Sequence, residues 1–103
     1  MANKERVYSR KLKQPLPDEK KPLLSNLILE RLGSQAPGMT VAWHKTDPVM
    51  TVRARMVTFT IRFALAEMTV ECEYGWLARQ IVTDATRVKT RATIHQLCDD
   101  ADL

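Results

Sequence analysis

Glycine is scarce in this chain of 103 residues: Gly33, Gly38 and Gly75 stand apart. Without a glycine cluster, a loop that cradles phosphate is excluded. Long apolar runs are missing as well. No stretch of about 18 apolar residues occurs, so no membrane-spanning helix is expected. Met1 to Arg10 mixes polar and charged residues with no apolar stretch behind it, which argues against a secretory signal. Cysteine is limited to Cys72 and Cys98, whose separation fits no metal or redox motif. Reduced thiols and a cytoplasmic location are expected.

Groups that could do chemistry are few. His44 and His95 are the only histidines, and neither has a nearby carboxylate or thiol arranged as a base, so structural or solvated roles are expected. Cys72 falls on a core phase, while Asp99 and Asp100 beside Cys98 would raise its pKa. Glu71 and Glu73 share one strand face and read as cross-strand partners for Arg62 and Arg53. Asp99, Asp100 and Asp102 lack the glycine turn of a cation-binding loop, and a solvated acidic end is expected over residues 99–103. No catalytic residue, metal ligand set or cofactor site is predicted, and the protein reads as a non-enzyme.

The charge is unevenly placed. The net charge is +4, and residues 1–22 hold seven basic side chains against three acidic ones, whereas residues 23–103 hold nine of each. The whole excess therefore lies in the first segment. Pro15, Pro17 and Pro22 bar a continuous helix there, and apolar residues are few. Residues 1–21 are expected to form a flexible basic leader, and deleting residues 1–20 is expected to leave thermal stability nearly unaltered.

The body, residues 22–98, reads as a single α+β domain. A short helix is predicted from Pro22, suited to a first turn, to Gly33, suited to a left-handed residue just past the end. Its leucines form a wide apolar stripe, so Leu24, Leu27 and Ile28 are candidate oligomer contacts. Residues 39–74 alternate with period two, as half-buried strands do. The inward sets are Met39, Val41 and Trp43; then Met50, Val52 and Ala54; then Val57, Phe59, Ile61, Phe63 and Leu65; then Met68, Val70, Cys72 and Tyr74. The inward phase switches between Ala54 and Val57, which places a tight turn at Arg55-Met56 and pairs Val52 with Phe59; a β-bulge near Met56 in one long strand is the alternative. A turn at Ala66-Glu67 would pair Phe63 with Val70 and Arg62 with Glu71. From Trp76 the period becomes helical, with Leu77, Ile81, Ala85, Val88, Ala92 and His95 as the stripe. The expected architecture is a short N-terminal helix, a four-strand antiparallel meander and a long C-terminal helix, both helices on one sheet face.

The run from Val52 to Leu77, followed by a helix, resembles the small bacterial polyhydroxyalkanoic acid system proteins in hydrophobic pattern and in the Leu-rich start to the last helix. Met56 and Ile61 stand where that family's central strands carry glycine, and the basic leader is additional. The resemblance implies a helix–strands–helix order and a non-catalytic granule or surface accessory role.

Two functions follow as expectations. The first is a small interaction module that self-associates or docks into an assembly through surplus apolar surface, with the leader as second contact. The second is a nucleic-acid-associated protein. Arg6, Arg10, Lys11 and Lys13 of the leader, with Arg87 and Arg91 one turn apart on the last helix, would then contact phosphates or an acidic partner.

Overall fold

The computed structural model describes residues 3–33, 38–54, 57–74 and 84–103. It is α+β, with β1 (Asn3–Lys11), α1 (Lys20–Leu32), β2 (Thr40–Trp43), β3 (Val49–Arg53), β4 (Val57–Phe63), β5 (Glu67–Tyr74) and α2 (Asp84–Asp100). The strands form one antiparallel sheet in the order β1-β5-β4-β3-β2. Four of them make the expected meander. The fifth corrects the expectation of a helix-first chain with a loose leader.

That fifth strand is β1, paired along its length with β5. Its side chains Val7 and Tyr8, with Leu12 just beyond, are buried in the core. The register shifts between Arg6 and Tyr8. A bulge there turns both Val7 and Tyr8 inward and breaks the alternation that marks a strand in sequence. The first helix accordingly comes second in chain order and connects the two edge strands.

The meander registers follow from where the turns fall. Val52 pairs with Phe59 as expected, and the Ala54 amide donates to the Val57 carbonyl at 2.9 Å; Arg55 and Met56 themselves lie outside the described residues. Between β4 and β5 the turn sits one residue earlier than expected. The Ala64 amide donates to Glu67 at 2.7 Å, so Phe63 pairs with Met68 and Arg62 with Thr69. Leu65, expected inward, is 79% exposed at the tip. The expected charge pair persists on the diagonal, with Arg62 Nε 3.8 Å from Glu71 Oε1. Between β2 and β3 the ring of His44 serves the turn: its Nδ1 accepts from the amides of Thr46 and Asp47 at 3.2 and 3.0 Å.

Helix α1 is anchored on β2. Trp43 Nε1 donates to Ser25 Oγ at 2.8 Å, and Lys21 Nζ lies 5.4 Å from the Trp43 ring centroid. Gly33 follows the last turn as expected, but its φ of −61° is right-handed. Leu24 and Ile28 enter the same buried cluster as Met50 and Val52 of β3, Ile61 and Phe63 of β4 and Val70 of β5, joined by Leu97 and Cys98 of α2. Both helices thus pack on one face of the sheet, as the strand phases require.

Helix α2 is rotated from its expected phase. Leu97, Cys98 and Ala101 are buried, with Ile94 packed against the core, whereas Val88 is 63% exposed, Ala85 and Ala92 face solvent, and the largely exposed His95 lies at the edge that meets Tyr8 of β1. The expected start of this helix, residues 76–83, lies outside the described residues. At its end Asp99, Asp100 and Asp102 are exposed, as a solvated acidic end would have them, but the backbone there is anchored. The amides of Asp102 and Leu103 donate to the carbonyls of Asp99 and Cys98 at 3.1 and 3.0 Å, and Asp102 has a φ of 57°. This is a Schellman stop, with Leu103 and Cys98 buried together. That anchored end sets the rotation of the whole helix. Among the described residues, no helix is long and apolar enough to cross a membrane.

Candidate functional site

Most of the cations singled out in sequence are held by the chain itself. Arg10 points inward from β1, its Nη1 3.2 Å from Asp99 Oδ1 and its Nη2 donating to the Leu103 carbonyl at 3.1 Å. Lys13 Nζ meets Asp102 Oδ1 at 2.8 Å. Lys20 Nζ donates to the carbonyls of Ala101 and Asp102, and Arg31 pairs with Asp100. The basic first segment and the acidic last turn therefore form one clasp. Hydrogen bonds from Arg31 and Gln96 hold the Asp100 carboxyl below the ordinary range, and Lys13 does the same for Asp102.

The Arg87/Arg91 pair is engaged too. Arg87 Nε donates to Glu5 Oε1 at 2.9 Å, while its two Nη atoms reach Asp84 and the Tyr74 hydroxyl at 3.1 and 3.3 Å. The bonds to Glu5 and Tyr74 raise its already high pKa further. Arg91 Nε donates to the Val7 carbonyl at 3.1 Å. Glu5 and Arg10 are on the inward side of β1 and Arg87 and Arg91 on the inward side of α2, so these contacts seat the helix on the edge strand. Arg6 and Lys11 point outward and are exposed, with no ion pair among the described residues. The candidate oligomer contacts divide likewise. Leu24 and Ile28 are core, Leu27 packs against it, and Leu23 and Leu29 are the helix residues that stand 44% and 43% exposed.

A cluster that the sequence did not announce lies where β1 crosses α2. The Tyr8 hydroxyl is hydrogen bonded to His95 Nδ1 at 2.8 Å, and His95 Nε2 is 3.4 Å from Asp99 Oδ2. Hydroxyl, imidazole and carboxylate in that order are the parts of an activated nucleophile. The electrostatics run the other way: burial, then the neighbouring Cys98, push the Tyr8 hydroxyl up. Burial likewise raises the Cys98 thiol, whose Sγ donates to Met68 Sδ at 3.7 Å. The cluster fastens strand to helix. Glu71, expected as a cross-strand partner, lies between Lys4 and Arg62 at 3.4 and 3.8 Å. Among the described residues, no three His, Cys, Asp or Glu side chains could hold a metal ion.

The remaining feature is a cleft of about 510 Å³ between α1, α2 and the inward faces of β3, β4 and β5. Ile28, Met50, Phe59, Ile61 and Ile94 are among its walls. The rotation of α2 creates it, because Thr90 and Thr93 rather than Val88 and Ala92 face the sheet at this level. Its volume is that of a small-molecule site. Strand phase pointed to Phe59 and Ile61, but the gap above them depends on the helix rotation. Comparison with protein-family models, with curated proteins and with solved structures returned no match for this chain.

Proposed function

We propose that the protein is a non-enzymatic interaction module that self-associates through its helix layer. The observation that carries this reading is the apolar surface left on the two helices, where Leu23, Leu29 and Val88 are 44%, 43% and 63% exposed. Side chains of this size in water favour burial against a second copy. The outward cations of β1, Arg6 and Lys11, supply a second contact for an acidic neighbour in the assembly. Two free thiols, Cys72 and Cys98, suit a reducing compartment. The reading agrees with the accessory role implied by the resemblance to polyhydroxyalkanoic acid system proteins. Nucleic-acid binding is less well supported, because Arg10, Lys13 and Arg87 each face a carboxylate.

Light scattering across a wide concentration range tests this. The native chain should exceed its 11.8 kDa monomer mass. Leu23→Asp combined with Leu29→Asp should restore the monomer with a nearly unchanged melting curve, since both side chains already meet solvent. A monomeric native chain throughout that range overturns self-association.

A further inference from the structure

Beyond self-association, we propose that the cleft between α1 and α2 binds a small single-tailed amphiphile with an anionic head group. The cleft follows α2 from Lys89 to Cys98, a length of roughly 13 Å at the helical rise. Its two ends differ. At one, Cys98 meets Met68 at 3.7 Å and the lining residues are apolar, while Arg10, which reaches Cys98 from outside the lining, is held by Asp99. At the other, Val57 pairs with Tyr74, the residue that Arg87 reaches from the start of α2, and Lys89 and Thr90 line the wall.

Lys89 gives the site its sign. Among the described residues it is the one charged residue lining the cleft, and no acidic residue lines it. Lys89 is exposed and carries no ion pair among the described residues, unlike Arg10, Lys13, Arg31 and Arg87, each held by a carboxylate. The Thr90 hydroxyl beside it adds a neutral donor, while the Thr93 hydroxyl is spent on the Lys89 carbonyl at 3.0 Å. A carboxylate at this end would gain a charge-assisted hydrogen bond, and its tail would run along Ile94, Ile61 and Met50 toward Cys98. Methionine walls from Met39, Met50 and Met68 adapt to a flexible tail better than branched side chains do.

Calorimetric titration with octanoate, decanoate, decanol and decyltrimethylammonium, all below their micelle concentrations, tests the proposal on the intact chain. Decanoate should bind one to one, and about fourfold more tightly for each methylene added from octanoate. Decanol and the cationic amphiphile should bind at least about tenfold more weakly, and Lys89→Glu should weaken decanoate by a similar factor. Thr93→Phe, which fills the cleft, should abolish binding of all three ten-carbon probes; Ala54→Leu, at the Val57 end, is the second filling variant should the first not fold. No saturable binding, equal affinity for decanoate and decanol, or unchanged binding in Lys89→Glu or in a folded filling variant each overturns the proposal. The light-scattering mass is read separately, so failure of self-association and failure of ligand binding are distinct results.

Discussion

Cys72 and Cys98 show how little a thiol's sequence neighbours say about its reactivity. Cys72 is buried on β5 and its pKa is pushed up to about 11, by burial first and the Glu5 carboxylate second. Cys98 is raised mainly by burial, with the Asp99 effect a lesser contribution. Both thiols should resist a disulfide-exchange reagent at about pH 8, near the ordinary thiol pKa, and should react together once denaturant unfolds the chain. Rapid labelling of either thiol in the folded protein would contradict their placement. Tyr8 belongs to the same scale. Its ring is core and its hydroxyl bonds a histidine 87 residues away, a partnership that no local pattern could reveal.

Among the elements, β1 is the one whose removal discriminates best. Val7, Tyr8 and Leu12 are each worth about 1.5–3 kcal/mol when fully buried, and a small domain holds only about 5–15 kcal/mol in total. Deleting residues 1–12 should therefore abolish the cooperative melting transition followed by circular dichroism, reversing the expectation that a leader could be lost without effect. An unchanged melting temperature would mean that β1 does not belong to the sheet. The strands of the meander were legible because the apolar residues alternate within each one, as Met50 and Val52, Phe59, Ile61 and Phe63, and Met68, Val70 and Cys72 do, and shift phase only at the turns. β1 was not, because its bulge makes two neighbours face inward and its inward charges, Glu5 and Arg10, read as solvated residues. In α2 the threonines and alanines differ too little in hydropathy to set a phase, so the anchored turn at Leu97, Cys98 and Ala101 chose it.

For the molecule as a whole, the clasp between the first segment and the last turn gives an acid limit. Asp100 and Asp102 are held below the ordinary carboxylate range in the folded state. Their stabilisation is complete above the ordinary pKa of about 4 and is lost as the pH falls through their lowered values. Melting temperature should be flat from neutral pH down to about 5 and fall below about 4. Asp100→Asn with Asp102→Asn should melt slightly lower at neutral pH and lose less in acid. Both carboxylates are exposed, so salt should shrink the difference. A double variant with the native acid profile would show that other groups set the limit.

Sequence alone determined the alternating strands between residues 39 and 74, the Val52–Phe59 pairing, the neutral body and the buried phase of Cys72, because each rests on a period repeated over a few neighbours. Only the tertiary structure decided that β1 joins the sheet, that α2 turns its threonines toward the cleft, and that Arg10, Lys13 and Arg87 are neutralised within the chain. Those outcomes depend on side chains more than eighty residues apart, such as Arg10 with Asp99 and Arg87 with Glu5. Periodicity reports which face of an element is apolar. It carries no record of which distant charge will stand opposite.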